Sequence, residues 1–435
     1  MSEIDIITFG CRLNAYESEV IRARAAEAGL ESAVIVNTCA VTAEAVRQSR
    51  QAIRKLKRTH PYRQLIVTGC AAQIEPQTYA AMPEVDRVLG NEEKLSAASY
   101  APDFLQGAPR IVVNDIMAVK ETAGQLLHSF TDTSFGSRTR AVLQVQNGCD
   151  HRCTFCIIPY GRGQSRSVGA GAVVGEARRL VEAGFKEIVL SGVDLTAYGA
   201  DLPGKPTLGT LAAQILKHVP ELKRLRLSSI DSIEADDALM RLIAEEERLM
   251  PHLHLSVQSG DDLILKRMKR RHLRAHTIEF CDTVRRLRPD IAFGADLIAG
   301  FPTETDAMFG RTASLIDEAG FSYLHVFPFS PRHGTPAARM KQVPRATIKE
   351  RARVLRATGL RALSAQLARL IGSDQDILVE KPGLGRTRCF ATVVFEDDRS
   401  VPGEIISVRI VDSDHRELRG RVLRTAAQDA TPAAA

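Results

Sequence analysis

Short apolar runs alternate with segments of helical periodicity through the first hundred residues. Two segments predict helices, at 17–28 and at 43–58, and the first of them ends before Gly29. The apolar runs that predict strands are 4–9, 33–36, 64–68 and 87–90. Apolar strands separated by helices are typical of a parallel sheet with both faces covered. The pattern therefore predicts an N-terminal α/β domain over residues 1–128.

A longer alternation begins at Ala141, after a polar stretch at 129–140 that predicts a linker. Helical segments such as 173–183 and 208–218 lie between the apolar runs. The six candidate strands are 142–146, 187–190, 224–227, 252–257, 291–298 and 323–329. Six β/α units predict a partial (β/α)6 TIM-like barrel, which is shorter than the full eight-unit form. A basic amphipathic helix at 345–371 completes this second domain, which we place at 135–371.

The last part of the chain changes to short strands with turn residues between them. These candidate strands are 377–380, 389–395, 405–411 and 418–424. They predict a small antiparallel β domain, a barrel or a sandwich, over residues 372–425. The tail at 426–435 is rich in Ala, Thr and Pro, which predicts disorder.

Composition narrows the class of protein. A length of 435 residues suggests about three domains, and 44% hydrophobic residues can form real cores. No apolar run approaches the roughly 18–20 residues of a membrane helix, so we expect no membrane association. The first residues lack the basic and apolar regions of a signal peptide, which favours a cytoplasmic protein. Eight cysteines are too few for a disulfide scaffold, so clustered ones favour metal binding or catalysis.

The charge is unevenly distributed, although 58 basic residues against 52 acidic ones leave a net charge of only +6. Residues 47–63 contain seven basic residues and no acidic one, and 332–369 contain ten basic residues and only Glu350 as an acid. A third basic run lies at 266–271. Each run alone is compatible with a solvated helix face. The three together favour a polyanionic partner, for which RNA or DNA is the natural candidate.

The strongest chemical signal is the spacing C-x3-C-x2-C formed by Cys149, Cys153 and Cys156. Three thiolates on one loop can hold three irons of a cubane cluster, which leaves the fourth iron open to a small molecule. The loop follows the first predicted barrel strand, at the end where TIM-like active sites are built. The alternatives are a zinc site with His151 as fourth ligand, or unpaired structural cysteines.

A second trio emerges only through the predicted sheet. Cys11, Cys39 and Cys70 each follow one of the first three strands, and Gly10 and Gly69 allow tight turns beside them. The carboxyl ends of parallel strands share one edge, and adjacent strands lie about 4.8 Å apart. The three sulfurs could therefore converge on a second cluster. The alternative is that each is a small buried hydrophobe, which is our interpretation of the remaining two cysteines, at 281 and 389.

These motifs resemble a known family. The Cys149–Cys156 loop is similar to that of radical S-adenosylmethionine (radical SAM) enzymes. The segments GCRLN at 10–14, NTCAVT at 37–42 and TGCA at 68–71 resemble the N-terminal domain of methylthiotransferases. The resemblance covers almost the whole chain, in the order methylthiotransferase domain, radical SAM barrel, TRAM domain. NTCAVT and VQSGDD at 257–262 are most similar to the branch that acts on threonylcarbamoyladenosine in tRNA.

The resemblance implies two [4Fe–4S] clusters, one for each cysteine trio, and SAM as a further cofactor. The barrel cluster would cleave SAM to a 5′-deoxyadenosyl radical that takes the hydrogen from C2 of adenosine 37 in the tRNA anticodon loop. The N-terminal cluster would hold or donate the sulfur, and a second SAM would supply the methyl group. An electron donor and a sulfur donor of unknown identity are implied as partners, and a monomer is the simplest expectation.

The resemblance also implies SAM contacts, which lie where successive barrel strands end. They are Ser191, Gly192 and Asp194 after the second strand, Ser228 after the third, Gln258 and Ser259 after the fourth, and Ile298, Gly300 and Phe301 after the fifth. Each could instead be ordinary turn chemistry. Arg332 or His333 could meet a threonyl carboxylate, and Tyr160 or Phe329 could stack on the target base.

Several alternatives stay open. The substrate could be isopentenyladenosine in tRNA or an aspartate of a ribosomal protein. The chain could also be a non-catalytic iron–sulfur protein that binds RNA. The C-terminal module is not net basic, because residues 374–424 hold nine basic and ten acidic residues. Its arginines could still form one local patch, comprising Arg386, Arg388, Arg419, Arg421 and Arg424.

Overall fold

The computed structural model describes residues 3–107, 109–120, 139–397 and 399–423. The predicted tail at 426–435 and most of the predicted linker at 129–140 lie outside these ranges, so the domain boundaries stay predictions. Among the described residues, no helix is long and apolar enough to span a membrane.

The N-terminal region is a five-stranded parallel sheet in the order β1-β2-β3-β4-β5, with helices between the strands. Its elements are β1 Glu3–Thr8, α1 Arg12–Glu27, β2 Ser32–Thr38, α2 Ala43–Thr59, β3 Gln64–Gly69, α3 Cys70–Ile74, α4 Pro76–Ala80, β4 Arg87–Leu89, α5 Pro102–Gly107 and β5 Ile111–Val112. This confirms the predicted α/β sheet. Helix α1 begins five residues earlier than predicted because Leu13, Asn14 and Tyr16 are buried in its first turns.

The central region contains six parallel strand positions in sequence order. Its elements are β6 Ala141–Gln144, β7 Gln146–Asn147, α6 Ile158–Arg162, β8 Arg166–Ser167, α7 Ala170–Glu182, β9 Glu187–Ser191, α8 Leu208–His218, β10 Arg224–Leu227, β11 Ser229–Ile230, α9 Asp237–Glu245, β12 His252–Gln258, α10 Asp262–Met268, α11 Arg274–Leu287, β13 Ala292–Ala299, α12 Asp306–Glu318, β14 Phe321–Pro328 and α13 Arg345–Ala368. Strands β6, β9 and β10 form one sheet, and β11 to β14 form a second. Only Ser228 separates β10 from β11, so the two sheets make one partial barrel, as predicted.

The barrel strands have an apolar outer face and a polar inner face. Leu225 and Leu227 of β10 belong to the large apolar core that also contains helix residues, as do Ile188 and Leu190 of β9. Side chains alternate between the two faces of a strand, so Glu187 and Arg226 point to the opposite side, into the barrel. The same alternation holds on β12 and β13, whose inward set includes His252, His254 and Asp296. The barrel interior is therefore lined with charged groups instead of packed aliphatic layers.

The C-terminal region is a closed barrel in the order β15-β16-β17-β19-β18. Its strands are β15 Asp374–Lys381, β16 Leu384–Thr387, β17 Thr392–Phe395, β18 Ile405–Ser413 and β19 Leu418–Val422. Strand β16 was not predicted, because its glycine and arginine residues interrupt the apolar pattern. The prediction of an antiparallel domain is correct except for one pair, since closing the barrel brings β17 and β19 together in parallel.

The N-terminal sheet packs directly on the barrel. Tyr16 and Val20 of α1 belong to the barrel's apolar core. In return, Ile157 from the barrel belongs to the core beneath the N-terminal sheet. The two regions therefore share buried apolar surface close to both cysteine trios.

Candidate functional site

The loop that carries Cys149, Cys153 and Cys156 is anchored at several points to the barrel. The backbone N–H of Cys149 donates to the carbonyl of Gly163 at 3.1 Å. Thr154 donates through its backbone N–H to Met268 at 3.0 Å and through its hydroxyl to the carbonyl of Arg267 at 2.8 Å. The ring of Phe155 packs edge-on against Phe301, with centroids 6.4 Å apart. These anchors hold the three thiols over the carboxyl ends of the barrel strands.

The three thiols of this loop lie in different electrostatic surroundings. Burial raises the pKa of Cys156 to about 12 and also raises the pKa of Cys149, which lies beside Asp194. Burial acts on Cys153 as well, but hydrogen bonds from His151 and the guanidinium of Arg270 outweigh it and lower the pKa. Arg270 Nη1 lies 3.9 Å from the sulfur of Cys153. Buried thiols that must ionise suit a bound metal, which supplies the positive charge they otherwise lack.

A single zinc ion fits this loop poorly. Tetrahedral Zn–S bonds of about 2.3 Å place thiolate sulfurs roughly 3.8 Å apart. Among the residues that the structure describes, no three cysteine sulfurs all lie within 4.8 Å of one another. His151 hydrogen-bonds to Cys153, and its Nε2 atom faces two carboxylates, Asp194 at 3.3 Å and Glu234 at 3.4 Å. The wider spread of the thiols suits a cluster whose ligands bind different irons.

The second trio lies at one edge of the N-terminal sheet. Thr8 pairs with Asn37 and Asn37 with Thr68, so Cys39 and Cys70 extend equally far beyond their strands. Cys11, at the N-terminus of α1, lies one residue further along its own segment. The predicted convergence of the three strand ends is therefore present.

The sulfurs of this trio are close enough to influence one another. Burial, with a smaller contribution from the neighbouring thiols of Cys70 and Cys11, raises the pKa of Cys39 to about 11. A Cβ atom at Gly10 would lie only 2.8 Å from the sulfur of Cys39, which explains the glycine. The two remaining cysteines, at 281 and 389, are buried in apolar cores, as the sequence suggested.

Helix α6 connects the two trios. It begins two residues after Cys156, and its five residues rise about 7.5 Å. At its far end, a Cβ on Gly161 would lie 3.2 Å from the Cβ of Cys70. Asn91, from the N-terminal sheet, donates to the carbonyl of Gly161 and lies 3.7 Å from the sulfur of Cys70. The two trios therefore adjoin each other across one short helix.

A buried ionic network fixes this junction. Arg162, the last residue of α6, makes a bidentate ion pair with Glu17 of α1, with N–O distances of 2.7 and 2.8 Å. Lys94 donates to the same carboxylate at 2.8 Å, and Asn14 accepts from Arg162 at 2.6 Å. Burial alone would raise the pKa of Glu17, but Arg162 and Lys94 lower it to about 2. Burial likewise opposes the charge of Arg162, but the thiols of Cys70 and Cys11, together with Glu17, raise its pKa well above normal.

Three of the predicted SAM contacts follow β9, directly beside the cysteine loop. Ser191 is the buried last residue of the strand. A Cβ on Gly192 would lie 2.8 Å from the side-chain oxygen of Gln146, so the position is too close-packed for a larger residue. The sulfur of Cys149 lies 3.5 Å from a carboxylate oxygen of Asp194.

The predicted contacts after β10 and β12 differ in their availability to a ligand. The hydroxyl of Ser228 is buried and has no hydrogen-bond partner among the described residues. Gln258 ends β12 with a φ of 70°. Ser259 is fully buried, and its hydroxyl is 3.2 Å from that of Thr312 behind the strand.

The predicted contacts after β13 form an apolar floor beneath the cysteine loop. Ile298 and Phe301 belong to one core cluster with Phe329, and Phe301 is fully buried. Gly300 has a φ of 76°, and its backbone N–H donates to Glu304 at 3.0 Å. The assignment of the six thiols as cluster ligands and of these nine residues as SAM contacts stays a prediction.

Two side chains beside the cysteine loop, Glu234 and Arg270, were not predicted from the sequence, and the role of the basic run that contains Arg270 was predicted incorrectly. Glu234 follows the third barrel strand, and its position at a strand end was the available signal. Arg270 is buried and ion-paired with Asp231 at 2.6 Å. Arg271 pairs with Glu234. Both arginines belong to the basic run at 266–271, which was interpreted from the sequence as one of three candidate contacts to a polyanion, and both form ion pairs within the protein. The acids that neutralise them are distant in sequence.

The two residues predicted to stack on the target base, Tyr160 and Phe329, differ in their exposure to solvent. Phe329 packs against Phe301, with ring centroids 5.6 Å apart, and is too deeply buried to stack on a base. Tyr160 is 52% exposed and lines a cavity of about 480 Å³ together with His333 and Met117.

The arginines of the predicted C-terminal patch do not all lie on one face. Arg386 and Arg388 face the barrel, whereas Arg419 and Arg421 are exposed and Arg424 lies outside the described residues.

The partial barrel and its cysteine loop define the class of radical SAM proteins, here with an additional parallel-sheet domain that carries three more cysteines. Residues 143–316 match the radical SAM superfamily, and residues 3–90 match a family described as uncharacterized protein family UPF0004. A radical SAM methyltransferase from Kitasatospora setae, TsrM, shares the fold with a TM-score of 0.54 at 14% identity, over 78% of this chain and 77% of that one.

Similarity in sequence extends over almost the whole chain. The threonylcarbamoyladenosine tRNA methylthiotransferase of Rickettsia prowazekii is 54% identical, covering 94% of each chain. That of Bacillus subtilis is 34% identical over 99% of this chain and 98% of its own. The tRNA-2-methylthio-N(6)-dimethylallyladenosine synthase of Erythrobacter litoralis is 33% identical over 97% of each. The chain belongs to the tRNA methylthiotransferase family of radical SAM proteins.

Proposed function

We propose that this protein adds a methylthio group to C2 of N6-threonylcarbamoyladenosine at position 37 of tRNA. The observation that carries the proposal is the pair of cysteine trios, one above the barrel and one at the edge of the N-terminal sheet, joined by α6. A reaction that needs both radical chemistry and a sulfur atom requires two such centres side by side. The relative with 54% identity carries the name of this activity.

The residues present fit two [4Fe–4S] clusters. All six thiols are unpaired. Burial raises the pKa of three of them, so their thiolates need a bound cation as counter-charge. Cys149, Cys153 and Cys156 would hold one cluster, and Cys11, Cys39 and Cys70 the other. When bound, these clusters and SAM supply one-electron and radical chemistry that side chains do not provide.

The protein's own side chains would bind and orient SAM. Asp194 lies beside Cys149 and Glu234 beside His151 of the same loop, so both carboxylates can accept hydrogen bonds from the ammonium group of SAM. The hydroxyl of Ser228 has no hydrogen-bond partner among the described residues and is available to SAM. Ser228 lies two residues after Arg226 and faces the same side of the strand. The apolar floor formed by Ile298 and Phe301 excludes water from beneath the loop.

For RNA binding we propose the exposed basic faces of α2 and α13. Arg54, Lys55 and Arg58 are exposed on α2, and Arg345, Lys349 and Arg356 are exposed on α13. Such faces contact phosphates and position an RNA without reading its sequence. We further propose that the protein acts as a cytoplasmic monomer and takes electrons and sulfur from separate donors.

The test is a reaction of the anaerobically reconstituted protein with SAM, a reductant and sulfide. Two anticodon stem-loops serve as substrates, carrying threonylcarbamoyladenosine or isopentenyladenosine at position 37. Mass spectrometry of the nucleosides should show a methylthio group in place of one hydrogen on the threonylcarbamoyl substrate. Modification of the isopentenyl substrate alone would support the related branch. No release of 5′-deoxyadenosine from protein with both clusters would indicate a non-catalytic RNA-binding protein.

A further inference from the structure

Four arginines surround one phenylalanine ring at the inner side of the barrel. The ring is that of Phe390, and the guanidinium carbons of Arg12, Arg140, Arg226 and Arg386 lie 5.9, 5.2, 4.8 and 4.5 Å from its centroid. They come from all three regions of the chain. We call these five residues the arginine cluster.

The arginine cluster holds more positive charge than its own acids neutralise. Glu187 lies 2.8 Å from Arg226 and 3.9 Å from Arg140. Glu380 pairs with Arg386 at 3.0 Å and also with Arg140. Two carboxylates thus face four guanidinium groups, in a region that is largely buried. Excess buried charge is costly unless a counter-ion is bound, so the arrangement favours an anionic ligand.

Unsatisfied donors point to the same conclusion. Arg226 is 1% exposed, and its Nη1 group has no hydrogen-bond partner in the part of the chain that the structure describes. Tyr323 and His252, which pack edge to face beside the cluster, each also have a polar atom without a partner among those residues. Buried polar atoms in native proteins are normally paired, so these atoms mark a place for a ligand.

The cluster lies below the edge at which SAM is proposed to bind. Arg226 precedes Ser228 by two residues, and strand geometry places the two about 7 Å apart along β10. Arg12 directly follows Cys11, so the cluster also adjoins the N-terminal trio. Arg12 is exposed to solvent, as is His325 on the neighbouring β14 (60% of its side chain), which gives a ligand access.

Asp296, the nearby acid of the barrel interior, attracts Arg12 and offsets the charge of the cluster only in part. Asp296 is hydrogen-bonded to two histidines, His254 at 2.9 Å and His325 at 3.2 Å. These bonds satisfy its carboxylate within β12, β13 and β14. With Asp296 counted, three carboxylates face four guanidinium groups, so a smaller surplus of positive charge remains with the arginines.

We propose that the arginine cluster binds the carboxylate of the threonylcarbamoyl group on the target adenosine and thereby selects that substrate. This inference rests on the proposed function. Guanidinium groups pair with carboxylates through two parallel hydrogen bonds. Because Arg226 is buried on the inner face of β10, a single substituent of a base can approach it more readily than a continuous phosphate backbone can. A dimethylallyl substituent carries no charge and would leave the arginines without a counter-ion.

The experiment measures binding of the reconstituted holoenzyme to two anticodon stem-loops that differ only at N6 of adenosine 37. One carries the threonylcarbamoyl group, and the other carries unmodified adenosine. We expect the wild type to bind the first at least tenfold more tightly. Arg12→Gln and Arg226→Gln should each weaken it by about 10- to 100-fold and change binding of the second by less than about threefold. Arg12→Lys should restore part of the preference.

Arg332→Gln is the matched control, because Arg332 is a competing candidate for the same carboxylate. It should leave the preference unchanged. Equal weakening of both stem-loops in the Arg12 and Arg226 variants would show that the cluster binds a phosphate and would overturn the inference. Loss of the preference in Arg332→Gln alone would also overturn it. If Arg226→Gln fails to retain iron, the exposed Arg12 decides the result. The proposed function fails separately, if the wild type modifies neither threonylcarbamoyl RNA nor any other substrate.

Discussion

Cys149, Cys153 and Cys156 lie within eight consecutive residues of one loop, whereas 28 and 31 residues separate Cys11 from Cys39 and Cys39 from Cys70. The first trio depends on the local path of one loop and on the barrel beneath it. The second exists only because β1, β2 and β3 are adjacent and parallel with matched register. One site is encoded by spacing, and the other by a fold. Damage to the N-terminal sheet should therefore affect one centre and spare the other.

The largest expected effect separates the two centres by their chemistry. Cys153→Ala should abolish release of 5′-deoxyadenosine from SAM, because the loop loses a proposed ligand of the cluster that binds SAM. Cys39→Ala should retain that release within about threefold and should abolish methylthio transfer, since only the proposed sulfur centre is lost. The measurement is chromatography of both products from the same anaerobic reaction. Equal loss of SAM cleavage in both variants would contradict separate roles for the trios.

The junction between the centres gives the next largest effect. Glu17→Gln leaves Arg162 and Lys94 buried without their shared carboxylate and should cost about 3–5 kcal/mol of unfolding free energy. Glu27→Gln, on the same helix, removes an exposed carboxylate 2.6 Å from Arg24 and should cost less than about 1 kcal/mol. Thermal unfolding of the reconstituted proteins measures both. Similar melting temperatures for the two variants would show that the network does not hold the regions together.

A smaller, pH-dependent effect is expected where α1 docks on the barrel. Burial raises the pKa of Glu176 from 4.5 to about 7, and Arg179 only partly offsets this. Between these values the folded protein binds more protons than the unfolded chain, so stability falls as pH rises toward 7 and stays lower above it. Glu176→Gln should raise stability at pH 8 by roughly 1–3 kcal/mol and should leave it nearly unchanged at pH 4.5. Urea unfolding at the two pH values is the check, and an equal gain at both would refute the assigned pKa.

The smallest effect concerns the anchoring of the loop trio. Phe155→Leu removes the edge-on contact with Phe301 but keeps an apolar side chain, so it should cost about 0.5–1.5 kcal/mol. We expect SAM cleavage to fall modestly and the second trio to keep its iron. Loss of both clusters would mean that the two centres are less independent than their geometry indicates.

Much of the fold follows from the local pattern of the sequence. The apolar strands of the first sheet and of the barrel are long and regular, and they were predicted close to their observed bounds. The convergence of Cys11, Cys39 and Cys70 was also predictable, because one rule about parallel sheets is enough. Strands β5 and β16 were missed because two residues, or a glycine-interrupted run, carry too little periodicity.

The interactions between distant segments could not be predicted in the same way. Nothing near Glu17 indicates that its partners are Lys94 and Arg162, since the pairing is made by packing. The basic run at 266–271 was interpreted as a candidate contact to a polyanion because the acids that pair with its arginines lie more than thirty residues away. The arginine cluster combines residues from three regions, none of which signals it alone. Ion pairs between residues that only the tertiary structure brings together are thus the part of the site that could not be predicted from the sequence.

The most direct test of two independent centres is an iron count on three anaerobically reconstituted proteins. These are the wild type, a triple variant with Cys149, Cys153 and Cys156 changed to Ala, and a triple variant with Cys11, Cys39 and Cys70 changed to Ala. Two [4Fe–4S] clusters predict about eight irons per chain for the wild type and about four for each triple variant. A triple variant that keeps the full wild-type iron, or wild-type protein with about four irons, would contradict the account.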